Sequence, residues 1–369
     1  MTHASQTAAA QGGAWEAWSQ KWQTLKHDWT QVSMSPGADE TQMNFAWYSK
    51  DGEETGLVYG TSSDLSDGQN AQVTQTASQD GYLSNKVTLN NLQPGVTYYY
   101  QVTGKEIESF TTDDDTSDFS FIFVGDPQIG SSNSAKDDSP EDMQTPEFLT
   151  AQSEAVRNDS FNWNYTLNRA FAKTGNSANF ILSAGDQIQT NYEDAEDTRI
   201  SEIEYAGYLS PDVMKSVPVA TTVGNHDADN PNYTYHFNIA NMSDLGDNGY
   251  VGGDYYFTYG DALFMILNTQ DTNVSEHKQF IEETVAANQD CKWRIVTLHQ
   301  DIYGSAEHSN EPEITNLRYS LVPIFEENDV DIVLTGHDHA YSRTKMLKGG
   351  QSTTGFEYTD DEFDEQLDK

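Results

Sequence analysis

Five short apolar runs in the last two-thirds of the chain each stop at a Gly or Leu, and a residue able to bind metal follows at once. FSFIFVGD ends on Asp126, ANFILSAGD on Asp186, VPVATTVGNHD on Asn225 and His226, WRIVTLH on His299, and DIVLTGHDH on His337 and His339. Between and after the runs lie stretches of helical period, at 146–173, 196–215, 275–288 and 313–328. Strands alternating with helices from Phe119 onward predict an α/β architecture. Polar residues at the carboxyl ends of such strands converge on one rim, so these side chains are expected to form a single site.

Asp, Asn and His offer oxygen and nitrogen donors, which suit Zn, Mn or Fe better than a soft metal. The set is too large for one ion. Two ions roughly 3.5 to 4 Å apart, bridged by a carboxylate, would use all of it and form the clamp that phosphoester hydrolysis requires. Singly, each residue has an ordinary reading: Asp126 and Asp186 as turn formers, Asn225-His226 as a helix cap, His299 as a core imidazole. The pair His337 and His339 resists this. Read as extended chain, both would point to one side as buried polar groups in need of partners. In FVGDPQIG, Gln128 stands two beyond Asp126 and can offer only a neutral amide oxygen.

At 369 residues the chain is long enough for two domains, and its net charge of -40 argues against nucleic acid or an anionic membrane surface as partner. A phosphate-bearing substrate therefore needs a local positive centre, which so few basic residues leave to metal ions. The lone cysteine, Cys291, rules out an internal disulfide and a Cys-based zinc site, and reads as packing. No apolar run approaches a membrane span, and the start MTHASQTAAA lacks the parts of a signal peptide. With a leader already removed, the composition suits an extracellular or cell-surface protein.

Trp15, Trp18, Trp22, Leu25 and Trp29 fall at helical spacing and predict an amphipathic helix over 14–29 whose aromatic stripe packs on a neighbouring domain. After Pro36 come short alternating runs, QMNFAWYS, TGLVYGT, SNKVTLNNL and TYYYQVTG, which predict a small all-β sandwich. The acidic TTDDDTSD at 111–118 reads as a linker. The expected divisions are an N-terminal helix to 33, the sandwich at 34–112, the α/β domain at 113–345 and an acidic segment at 346–369.

The order GD, GD, GNH, strand-ending His and GHDH resembles the calcineurin-like metallophosphoesterases. VTLNNLQPGVTYYYQVTG resembles the late strands of a fibronectin type III-like domain, which brings the resemblance closer to the purple acid phosphatases. It covers roughly 34–345 and implies a four-layer α/β-sandwich with a dinuclear centre of Fe, Zn or Mn. Asp186 then resembles the bridging carboxylate; Asp126 and His339 would hold one ion, and Asn225, His299 and His337 the other. His226 resembles the residue near the leaving-group oxygen, with Asp227 placed to orient it. His308, in the loop after His299, is the second candidate acid and phosphate contact, and Tyr303 would line the same mouth.

The implied reaction is hydrolysis of a small phosphomonoester by a metal-activated hydroxide. A phosphodiesterase or nucleotide hydrolase on the same metal core is the alternative, and a surface binding protein with a degenerate site is the rival of another class. Two departures from the family pattern matter. Where most members have a His ligand two beyond the first Asp there is Gln128, and where purple acid phosphatases have an iron-binding Tyr three beyond the second there is Gln189. Tyr192 lies at the wrong spacing, so the first site should be weaker, divalent and colourless. The family also continues with further strands where this sequence ends.

Overall fold

The computed structural model describes residues 4–135, 140–190, 198–344 and 347. Helix α1 (Ala14–Leu25) is shorter than the spacing of its tryptophans suggests. Asp28 turns the chain by accepting from the Thr30 N–H at 3.1 Å, and Trp29 leaves the helical stripe to pack on Tyr82, ring centres 5.6 Å apart. The remaining stripe faces the α/β domain. Trp18 Nε1 donates to the Arg157 carbonyl at 2.8 Å and Trp22 Nε1 to that of Ser153 at 3.0 Å, so both indoles are buried with their one polar group satisfied.

The sandwich is built from β1 (Ser33–Pro36), β2 (Met43–Lys50), β3 (Leu57–Gly60), β4 (Gln69–Asn70), β5 (Thr74–Ala77), β6 (Tyr82–Leu89), β7 (Thr97–Val102) and β8 (Glu108–Thr111). Two antiparallel sheets, ordered β1-β2-β6-β5 and β4-β3-β7-β8, face each other across Phe45, Trp47, Tyr100 and Phe110. Strand β7 alternates as a half-solvated strand should, burying Tyr98, Tyr100 and Val102. Strand β2 instead is buried on both faces up to Ser49, because its outer face meets the α/β domain: Tyr48 donates to Glu202 at 2.9 Å.

Beyond the sandwich, β9 (Phe121–Val124), β10 (Phe180–Ser183) and β11 (Val219–Thr221) form a parallel sheet in the order β11-β10-β9. A second sheet holds β12 (Tyr255–Tyr259), β13 (Ala262–Ile266), β14 (Trp293–Thr297) and β15 (Ile332–Leu334), parallel except for the β12-β13 hairpin. Phe180, Leu182 and Ala220 of the first sheet meet Phe257, Phe264 and Ile295 of the second in one core. After the short α2 (Pro140–Met143), helix α3 (Pro146–Lys173) starts where the sequence places it, with Thr145 accepting from the Phe148 N–H and Pro146 at its first turn.

Helix α4 (Thr198–Tyr208) ends short of the expected 215, because Pro211 cannot continue the ladder and only a 3₁₀ turn follows. The helices α1, α3 and α4 cover the outside of the first sheet. Past the single-turn α5 (Asn232–His236), α6 (Val274–Ala287) and α7 (Pro312–Glu327) cover the outside of the second. The result is the four-layer α/β-sandwich, with the carboxyl ends of β9, β10, β11, β14 and β15 at one edge. Among the described residues no helix is long and apolar enough to cross a membrane.

Candidate metal centre

Strain marks the loops at that edge. Of eleven non-glycine residues with positive φ among those described, five are Asp126 (51°), Gln128 (34°), Asp186 (51°), His337 (71°) and His339 (50°). Each costs on the order of 1 kcal/mol or more and persists only where its surroundings over-determine it, so the concentration points to one functional rim. It also corrects the reading of His337 and His339 as extended chain. Strand β15 ends at Leu334, both histidines are left-handed, and the His339 side chain is 54% exposed.

Close approach explains the glycines before the donors. A Cβ on Gly224 would lie 2.0 Å from Asp186 Oδ1, and one on Gly336 would lie 2.7 Å from Asp126 Oδ2. Each glycine thus makes room for a carboxylate from another loop. Backbone bonds lash the loops together: Asp126 N–H to the Gly185 carbonyl (3.1 Å), Gln128 N–H to that of Asp186 (2.9 Å) and Gly336 N–H to that of His299 (2.9 Å). The Asp126 carboxylate also accepts from the His337 N–H at 2.8 Å.

His299 lies at the centre of the arrangement and is fully buried. Its Nδ1 is 2.8 Å from the Ala184 carbonyl, which can only accept, so Nδ1 carries the hydrogen and Nε2 presents its lone pair in the neutral ring. Around Nε2 stand Asn225 Oδ1 at 3.0 Å, His337 Nδ1 at 3.2 Å and Asp186 Oδ2 at 3.3 Å. A second group adjoins it: Asp126, Asp186 and His339 each bring a donor atom within 4.8 Å of the others, as do Asp186, His299 and His337. Asp186 belongs to both. Two oxygen-and-nitrogen sets sharing one carboxylate fit a pair of borderline or hard divalent ions.

The charges agree with that fit. Burial disfavours a charged imidazole, yet Asp186 and Asp126 outweigh it and raise His299 to about 9. His337, facing His299 and His308, is pushed down to about 4 by burial and by these two neighbours. Burial raises Asp126, with Asp186 adding to it; in Asp186 the pull of His299 overcomes burial, and its pKa is lowered. The pocket thus draws a positive charge to its centre even in the protein alone.

His226 borders this set. Its N–H donates to Asp186 Oδ1 at 2.9 Å, and its ring Nδ1 is 2.5 Å from the Gln189 carbonyl. Asp227, expected to orient that ring, is engaged elsewhere: its carboxylate accepts from the Gly224 N–H (2.9 Å), the Gln187 N–H (3.1 Å) and Gln187 Nε2 (3.2 Å), bracing two loops. Burial and the adjacent Asp186 hold its pKa well above the carboxylate range. Gln128 turns its amide toward Asp186 Oδ2 at 3.5 Å.

His308 lies against His337, ring centres 4.4 Å apart, and its Nδ1 is 2.8 Å from Glu311 Oε1. Tyr303 instead packs on the second-sheet core with the Arg318 guanidinium 5.4 Å over its ring. The sequence reading missed Asp338, between the two histidines. Its carboxylate accepts from the Ala306 N–H (2.8 Å) and the His308 N–H (2.9 Å), clamping the loop that carries His308. Glu311, three residues after His308, had a spacing signal; Asp338 had none beyond its place in GHDH.

Residues 119–341 match the calcineurin-like phosphoesterase family, and residues 29–118 match the purple acid phosphatase N-terminal domain. Among curated relatives, Purple acid phosphatase 4 of Arabidopsis thaliana is 27% identical over 189 residues, covering 44% of this chain and 52% of that protein. Probable purple acid phosphatase 20 of the same plant is 24% identical over 82% of this chain and 66% of its own length. The chain thus spans about half of the first relative. The family match covers well over half of the chain and every donor gathered at the strand ends: this protein belongs to the calcineurin-like phosphoesterases and carries a purple acid phosphatase-type N-terminal domain.

Proposed function

We propose that the chain hydrolyses small phosphomonoesters at a dinuclear centre of divalent ions, drawn from Fe, Zn and Mn. The observation that carries this reading is the ring of donors around His299 Nε2, joined through Asp186 to the group containing Asp126 and His339. Asp186 would be shared, with Asp126 and His339 on one side and Asn225, His299 and His337 on the other. When bound, the ions supply the positive charge that gathers a phosphate and lowers the pKa of a water. That local charge lets a chain of net charge -40 bind an anion.

The other steps fall to side chains. The Gln189 carbonyl commits His226 Nδ1–H, leaving Nε2 as the nitrogen that holds or releases a proton at the leaving-group oxygen. The Glu311 carboxylate commits His308 Nδ1 in the same way, which makes His308 the second acid, at the mouth. Asp227 braces the Asp186 and Asn225 loops rather than the imidazole.

Turnover of p-nitrophenyl phosphate, beside bis-p-nitrophenyl phosphate, tests the reading. Monoester turnover that collapses with chelator and returns with Zn, Mn or Fe is the expected result. Faster cleavage of the diester would replace it with a phosphodiesterase. Metal uptake without turnover of either ester would favour a binding protein.

A further inference from the structure

Helix α4 buries a carboxyl group behind the Asp186 loop that hydrolysis itself does not use. Glu204 is 0% exposed. Its Oε2 accepts from the Thr190 N–H at 2.8 Å, and its Oε1 meets Thr190 Oγ1 at 2.5 Å and the amide nitrogen of Gln152. Gln152 in turn accepts from Asn133 Nδ2 at 2.7 Å, so one carboxyl ties α3, α4 and both loops that carry the first two aspartates. Burial pushes its pKa up to about 8, against the pull of these donors, which favour the carboxylate.

The Thr190 N–H and the Gln189 carbonyl are two ends of one peptide group. Glu204 holds the first end, and the second is the acceptor of His226 Nδ1 at 2.5 Å. Hydrogen bonds in series through an amide polarise it, so an acceptor at the N–H strengthens the carbonyl as an acceptor and fixes the plane in which it points. We propose that Glu204 is a positioning residue for His226, acting through the Gln189–Thr190 peptide to keep Nδ1–H on the carbonyl, so that Nε2 of the imidazolium, which carries the proton to be donated, is aimed at the leaving-group oxygen. This rests on the acid role given to His226 above.

A carboxyl that merely stitched two loops together would not discriminate between substrates, whereas one that positions an acid must. With p-nitrophenyl phosphate the leaving group departs well without a proton; with phenyl or alkyl phosphates it needs one. Glu204→Leu should therefore keep its metal content and KM, turn over p-nitrophenyl phosphate nearly as wild type, and lose on the order of 10²-fold in kcat with an alkyl phosphate, the usual worth of a general acid. Glu204→Gln, whose amide oxygen can accept from the same N–H, should recover most of that loss. Glu204→Asp, which withdraws the carboxyl by one methylene, carries the same comparison if the leucine variant does not fold.

Imidazole nitrogen shifts of the neutral His226 ring in zinc-loaded protein give a readout independent of turnover: a single Nδ1–H tautomer in wild type, mixed in Glu204→Leu. An inactive wild type whose tautomer still depends on Glu204 would refute the hydrolytic reading and leave the relay standing. An active wild type whose variants lose rate equally on all esters, with the tautomer unchanged, would refute the relay alone.

Discussion

Nδ1 of His337 faces Nε2 of His299 at 3.2 Å, and the Nδ1 of His299 is already committed to the Ala184 carbonyl. Only a proton or a metal ion can reconcile the lone pairs that meet there with the Asp186 and Asn225 oxygens alongside. A proton taken up there is held by His299, whose pKa the Asp186 and Asp126 carboxylates raise to about 9 against the cost of burial.

A stability prediction follows from that competition. A histidine raised from 6.5 to about 9 contributes stability that is fully present below 6.5 and lost as pH rises through 9. Metal-free protein should therefore lose stability between those values, and zinc should raise the melting temperature more at pH 8.5 than at pH 6, where the ion must displace the proton. Ligand at a hundred times its Kd adds about 2.7 kcal/mol, enough to resolve by thermal melting. A zinc effect as large at pH 6 as at pH 8.5 would remove His299 from the ligand set.

Asp186 is the carboxylate common to both donor groups. Asp186→Asn should lose at least one ion and nearly all turnover, because two cations would face each other without the shared negative charge. Asp126→Asn should weaken mainly one site. Metal analysis decides between them: an Asp186→Asn protein that still held two ions per chain would end the bridging assignment.

Gly224→Ala tests the centre without altering a donor. The added methyl would lie 2.0 Å from Asp186 Oδ1, closer than van der Waals contact allows, and both partners are held by backbone bonds on braced loops. The variant should bind metal much more weakly while keeping its folded circular dichroism. Wild-type metal content in Gly224→Ala would show the loops to be more compliant than their packing implies.

The donors at the strand ends are legible because strand polarity turns a one-dimensional pattern into a rim, which alone brings Asp126, Asp186, His299 and His337 together. Helix α3 was legible to the residue, since Thr145 and Pro146 are start signals that need no tertiary context. What failed depended on contacts between distant loops. The left-handed turns at His337 and His339 are set by packing against Asp126, Asp227 spends its hydrogen bonds on the backbone of the GD loop, and Glu204 lies in the helix sequence TRISEIEYAGY, where nothing distinguishes it from a solvated glutamate. Tyr192 and nearly all of 346–369 lie outside the described residues.

The two ions should leave in order. Asp186 is common to both sides; on one it joins Asn225, a fully buried His299 and His337, and on the other Asp126 and His339, whose imidazole is 54% exposed. Gln128, where a histidine would complete the weaker set, instead directs its amide nitrogen to Asp186 at 3.5 Å, and turning the amide over would offer only a neutral oxygen. Gln189 likewise contributes its backbone carbonyl to His226, with no phenolate at that position to bind ferric iron. Dialysis against chelator should therefore release one ion before the other, from protein without visible colour, and Gln128→His should delay that first loss. Simultaneous release of both ions, or a strong visible absorption band, would mean that a further ligand completes the first site, with Tyr192 the first residue to replace.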